Sequence, residues 1–476
     1  MVYISLVALP MRSLLLILAA VVSVTSVNCG NEPDYLSREE MLDPETCKSC
    51  HPTHYREWSG SMHAYAADDP VFLAMNKRGQ RELAERGEDL GDFCVKCHAP
   101  MALIEGATTD GLNLEDPDFP KHLKGVTCFF CHTVDAITAD HNNGLVLSGD
   151  TVMRGGISDP FPNDGHRATY SPLHDRNSQE SSQLCGSCHD IMLNGVHLER
   201  TFVEWKSSLF GQSDPLKHLS CSRCHMVGDQ PGVVADYPGV PSRKPKEHTW
   251  PGIDTALIDW PEKIAQLELI KRDLRGAISP KLCVGPAGGG IEITYNLDNV
   301  FGGHMLPSGA TQDRRQWAEV IAYDDTDTVV FESGVIAEGD AVADSTDPNL
   351  WQMRDYALKS NGEEAHMFWD VASIAPSNCA DPRTPANCFL LPPSVTNVQS
   401  DPLFNHSVTK TYTVVGVTPA RVTAKVYIRS IGLEVLQDLV DTGDLDPMYL
   451  AKIPTLLIDG TVLEWTTADG FGCVRP

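Results

Sequence analysis

Between residues 47 and 225 the chain writes Cys-x-x-Cys-His five times: Cys47-Lys48-Ser49-Cys50-His51, Cys94-Val95-Lys96-Cys97-His98, Cys128-Phe129-Phe130-Cys131-His132, Cys185-Gly186-Ser187-Cys188-His189 and Cys221-Ser222-Arg223-Cys224-His225. Two thiols at this spacing form thioethers with the two vinyl groups of a haem, and the next residue is then placed to give an imidazole nitrogen to the iron. With 15 Cys and 17 His in 476 residues, random placement yields roughly 0.02 such motifs. Zinc also favours Cys-x-x-Cys pairs, but a structural zinc site needs no histidine after every second cysteine, and five pairs do not divide into four-cysteine sites. The reading is therefore five covalently attached haems c. Successive motifs start 47, 34, 57 and 36 residues apart, so haems, not side chains, must form most of the core of this segment.

Length and composition fit an exported protein of two or three domains. Residues 1–28 read as a signal peptide: Arg12 precedes the apolar run 14–24, and Ser23, Thr25 and Ser26 follow. That run is short for a membrane span. Export to the periplasm, to the outer membrane as a lipoprotein, or to the extracellular space agrees with oxidising cysteine chemistry. Ten cysteines belong to the motifs, leaving Cys29, Cys283, Cys379, Cys388 and Cys473. Two disulfides are expected, Cys379 to Cys388 and Cys283 to Cys473, with four free thiols as the alternative. Cys29 stands where a lipid anchor would be attached, although Asn28 is a poor preceding residue, so simple cleavage near Ser26 stays open. With 37 basic against 64 acidic residues and a net charge of −27, nucleic acid is excluded as a partner. The acidic surface serves solubility and speeds encounter with a basic redox protein.

The composition changes near residue 280. Residues 30–260 form the expected pentahaem cytochrome c domain of short helices and loops, residues 261–280 a linker helix, and residues 281–476 a β-sandwich-like domain, giving an α+β multidomain chain. The best helices are 71–88 and 261–275; in the second, Ile264, Leu267, Ile270 and Leu274 share a face. Strands are expected at 291–295, 317–323, 328–331, 411–415 and 421–428, with a short helix at 433–440. A weak repeat aligns Glu57-Trp58-Ser59-Gly60-Ser61-Met62-His63 with Glu204-Trp205-Lys206-Ser207-Ser208-Leu209-Phe210, and the second copy lacks the histidine.

Twelve histidines lie outside the motifs, enough to give every iron a second imidazole. His63 follows a tryptophan-containing turn, while His248 (in His248-Thr249-Trp250-Pro251-Gly252) and His304 (in Gly302-Gly303-His304-Met305-Leu306-Pro307-Ser308-Gly309) sit among small residues that let backbone approach a flat cofactor. These three are the leading distal ligands. His166 and His174, before the fourth motif, complete the set. Met62, Met101 or Met226 are the substitutes for a histidine at one site.

In residues 47–51 with Trp58 and His63, in 125–132, 201–205, 221–226, 248–252 and 303–309 followed by Trp317, the chain resembles the multihaem c-type cytochromes related to the tetrahaem cytochromes of ammonia-oxidising bacteria and, more distantly, to hydroxylamine oxidoreductase. The resemblance spans most of residues 45–335. It implies closely stacked haems that pass electrons between partner proteins. The absence of a Cys-x-x-Cys-Lys motif and the supply of histidines depart from the catalytic relatives. Electron transfer through closed, mostly bis-His irons is therefore the leading expectation. The alternatives are an oxidoreductase acting on a small nitrogen or sulfur compound at one open haem, with His141, Tyr170 or Lys121 as acid or base, and a homo-oligomeric haem filament.

Overall fold

A computed structural model describes residues 35–214, 216–375 and 390–476. The expected signal peptide, Cys29 and the Cys379–Cys388 pair lie outside the described residues. Mixed helix and sheet make up the chain. No helix among the described residues is long and apolar enough to cross a membrane.

Up to about residue 260 the elements are short and are held by turns and caps. Helix α1 (Pro52–Ser59) opens on Pro52, whose missing N–H costs nothing at the first helical position. Helix α2 (Pro70–Glu85) is capped by the Asp69 carboxylate on the Val71 N–H at 3.0 Å and buries Val71, Phe72, Ala74 and Leu83. A hairpin of β1 (Asp190–Leu193) and β2 (Val196–Arg200) leads into helix α3 (Thr201–Ser207). Long irregular stretches between these pieces are tolerated because their inner surface faces one large cavity.

Helix α4 (Lys263–Ala277) starts two residues later than the sequence suggested and turns its face slightly. Ile270 and Leu274 are buried, Leu267 packs against them, but Ile264 is 81% exposed. It runs without a break into β3 (Ile278–Ala287), which pairs with β4 (Gly290–Asn299) in a tight antiparallel hairpin. The strand-like alternation expected after residue 280 appears as β5 (Arg315–Tyr323), β6 (Val329–Ser333), β7 (Trp351–Met353), β8 (Val408–Val414), β9 (Arg421–Arg429), β10 (Leu456–Leu457), β11 (Leu463–Thr466) and β12 (Gly472–Val474). One antiparallel sheet runs β8-β4-β3-β12. The other runs β6-β5-β9-β10, with β7 also on β5 and β11 also on β9.

Period-two alternation turns Leu282, Val284, Ile293, Tyr295 and Leu297 of the first sheet and Val320, Ala322, Val422, Ala424, Val426 and Ile428 of the second into one shared core. Cys283 and Cys473 face each other in register across β3 and β12 and form a disulfide, the pairing expected from the sequence. Helix α5 (Leu433–Asp441) packs Leu433, Val435, Leu436 and Leu439 into a cluster with Val71, Ala74 and Leu83 of α2. The two halves of the chain thus share a core, reinforced by a bidentate Arg81–Asp444 pair and by the Trp369 indole donating to Glu82 at 2.9 Å.

Candidate haem-binding site

All five motifs open onto one cavity of about 1920 Å³. Four of the attachment sequences fold as short helices, at Val95–His98, Cys128–Thr133, Ser181–His189 and Cys221–His225, and the first begins at the end of Pro44–Cys47. Thr127 and Ser220 cap two of them through their hydroxyls, accepting from Phe130 and Arg223 N–H groups. Gly125 sits at φ +69°, where a Cβ would stand 2.6 Å from the His63 carbonyl, so the strand entering the third motif lies tight against the segment carrying His63.

The motif imidazoles are oriented by backbone. Nδ1–H of His51 donates to Val234 O at 2.8 Å, His98 to Ala66 O at 3.0 Å, His132 to Arg154 O at 2.6 Å and His225 to Pro251 O at 2.9 Å. Each bond fixes the tautomer that leaves the Nε2 lone pair for a metal. Burial pushes His132 and His189 down to about 4 and His63 down to about 3, so all three stand neutral, as a ligand must.

The donor set fits haem on a quantitative test. Two imidazoles that would hold one metal between them, each at about 2.0 Å from its nitrogen, need ring centres roughly 6 Å apart. His51 and His166 lie at 6.1 Å, His63 and His189 at 6.2 Å, His132 and His248 at 6.3 Å, and His225 and His304 at 6.3 Å. Three of the distal rings repeat the backbone anchor, Nδ1–H donating to Arg167 O from His166, to Lys246 O from His248 and to Met305 O from His304.

His174 is also drawn to His132, at 5.5 Å, but its Nε2 is bonded to Cys131 O and its buried Nδ1 has no partner. His54, which the sequence did not rank among the ligands, comes equally close to His51 at 6.1 Å and packs edge-on against His248 at 4.6 Å. Around His98 the pattern breaks. Its ring is stacked face to face on Phe72 at 4.1 Å and 3°, and among the described residues no second histidine ring stands beside it. The histidine surplus is real, yet it gathers near His51 and His132 and leaves His98 without a partner.

Met62 and Met226 line the cavity, whereas Met101 is fully buried in a separate apolar cluster. His141, Tyr170 and Lys121 do not line it. The helices that carry the fourth and fifth motifs pack against each other.

Glu199, on β2, gave no signal in the sequence beyond alternation. It lines the cavity with Asp69, Asp313 and Arg314, so its residual exposure is to the interior. Burial, opposed by Arg314 and reinforced by Asp313, Asp254 and Asp190, pushes its carboxyl up to about 7. A raised carboxyl keeps its proton in the folded state, so no penalty exists below the ordinary carboxylate range and the penalty grows as pH rises towards 7. Glu199→Gln is expected to gain stability over the native chain progressively from pH about 4 to 7, by up to about 3 kcal/mol. Denaturant titrations at pH 4.5 and 8 measure this, and equal gains at both values refute it.

The sequence profile of the family described as cytochrome c554 and c-prime matches residues 46–133. The structure is similar to that of a penta-heme cytochrome c552 from Thermochromatium tepidum, with a TM-score of 0.59 over 90% of this chain and 99% of that one, at 19% identity. No curated protein sequence matches the chain. Five attachment motifs around one cavity, a cytochrome c554 and c-prime profile over residues 46–133 and the fold of a penta-heme cytochrome make the chain similar to multihaem c-type cytochromes.

Proposed function

We propose that the chain binds five haems c, one per motif, and moves electrons along them between redox partner proteins outside the cytoplasm. The layout that goes with this is a pentahaem cytochrome c unit over residues 30–260, a connecting helix, and a β-sandwich-like unit over residues 281–476 that lends His304 to the fifth iron. The observation that carries the reading is the spacing of four imidazole pairs, 6.1 to 6.3 Å, around a single cavity. Two axial imidazoles saturate an iron and leave it to electron exchange. The packing of the fourth-motif helix on the fifth-motif helix supports electron exchange between the haems held there. The acidic surface favours a basic partner. Export, lipid attachment at Cys29 and assembly into a filament belong to the same proposal.

A second reading rests on His98. An iron held there has an imidazole on one side and no histidine on the other, the arrangement that a small nitrogen or sulfur compound needs in order to bind. Intact-mass measurement of the denatured protein is expected to show five haems per chain, and carbon monoxide is expected to bind the reduced protein at one iron. Four or fewer haems refute the first reading, and no carbon monoxide uptake refutes the second.

A further inference from the structure

The repeat noticed in the sequence has a structural counterpart that the ligand pairs alone do not explain. Both copies sit at the end of a short helix, α1 and α3, and both close that end in the same way: Ser61 Oγ donates to Trp58 O at 2.7 Å, and Ser208 Oγ to Trp205 O at 2.8 Å. The indole of Trp58 donates to Val126 O at 2.8 Å, and that of Trp205 to Leu219 O at 2.9 Å. Val126 stands two residues before Cys128, and Leu219 two residues before Cys221. Each tryptophan therefore grips the strand that enters a haem motif.

The glutamates grip the other side. Glu57 Oε2 accepts from the backbone N–H of His248 at 2.9 Å. Glu204 Oε2 accepts from the N–H of Met305 at 3.2 Å, the residue after His304, and from Ser308 Oγ at 2.7 Å. Neighbouring residues on a helix diverge by about 100°, so one helix end reaches two segments at once. The segments it joins are the ones that carry the two axial imidazoles of a single pair: His132 with His248 in one copy, His225 with His304 in the other.

We propose that Glu57-Trp58 and Glu204-Trp205 are two copies of one clamp that sets axial coordination at the third and fifth motifs. The tryptophan positions the segment of the attached imidazole, and the glutamate positions the loop that delivers the second one. These are positioning residues, since none of them ligates the iron. The clamp favours His248 over His174 as the partner of His132, because the Glu57 bond falls on the His248 backbone itself. The inference rests on the ligand pairs of the proposed function, and the two are separable by experiment.

The full haem-loaded chain is compared with Glu57→Ala, Glu57→Gln, Trp58→Phe and His248→Ala by low-temperature electron paramagnetic resonance and carbon monoxide titration of the reduced protein. His248→Ala is expected to convert about one haem per chain to a high-spin, carbon monoxide-binding form. Glu57→Ala is expected to convert most of that same haem, and Glu57→Gln, whose amide oxygen accepts the same hydrogen bond, to keep the native spectrum. Trp58→Phe is expected to shift the signal of that haem alone. Glu204→Ala and Glu204→Gln are expected to repeat the contrast at the haem of His225. A native spectrum in Glu57→Ala alongside a converted haem in His248→Ala overturns the clamp and leaves the ligand pair standing. A native spectrum in His248→Ala overturns the pair and the clamp with it. If Glu57→Ala yields no folded protein, an unchanged spectrum in Trp58→Phe overturns the clamp.

Discussion

Produced under conditions in which haem is not attached, the chain is expected to lose cooperative structure over residues 35–257 while the two sheets keep theirs. Filling the cavity is a requirement of the fold, because the apolar lining of about 1920 Å³ of space faces water when nothing occupies it, and apolar surface left in water forfeits about 25 cal/mol per Å². Little in that segment compensates: its helices are mostly four to nine residues long, below the length at which helices persist alone. The sheets, by contrast, share their own apolar core and are tied by the Cys283–Cys473 disulfide. Limited proteolysis is expected to cut first among the motifs and to leave a resistant fragment that begins near residue 260. An unattached chain with the same protection pattern as the loaded one would contradict the role given to the cavity.

The second large effect is expected at the junction of the two halves. Arg200, at the end of β2, forms an ion pair with Asp355, whose side chain is 0% exposed, and Thr311 Oγ1 donates to the same carboxylate at 2.7 Å. Asp355→Ala leaves a buried guanidinium whose remaining acidic neighbour is Glu204 at 3.7 Å. Removing one partner of such a pair costs about 3–5 kcal/mol, and Glu204 should hold the loss towards the lower end. Because Glu204 also holds the Met305 N–H, the haem of His225 should register the change. Denaturant unfolding followed by haem absorbance is the measurement, and a loss under about 1 kcal/mol would show that the pair contributes little.

How much of this was legible in the sequence depended on the range of the interaction. The attachment cysteines and their histidines are fixed by covalent reach over five residues, so their local spacing exposed them. The strands followed from period-two alternation, and their buried faces match it, as at Ile291, Ile293 and Tyr295. Strand β3 was missed because Pro280, Gly285 and Pro286 interrupt its pattern, and it is held by pairing with β4 and β12 instead. The distal histidines were half legible. His248 and His304 are marked by small neighbours, yet each comes to stand by a motif histidine only through long loops that no local pattern fixes. His54 carried no such mark, although the fold brings its ring to 6.1 Å from that of His51. The bare side of His98 was hidden altogether, since counting histidines cannot say where they go. The weak Glu-Trp repeat carried more information than its length suggested, because each copy hydrogen-bonds two separate backbone segments, at Val126 and His248 in one and at Leu219 and Met305 in the other.

The central claim is a chain of five covalent haems in which paired imidazoles close four irons. Low-temperature electron paramagnetic resonance of the oxidised protein, with haem quantified on the same sample, tests it most directly. Five haems per chain are expected, four of them low-spin and one high-spin at the iron of His98. Fewer than five haems, or high-spin signal from two or more of the irons, would contradict it.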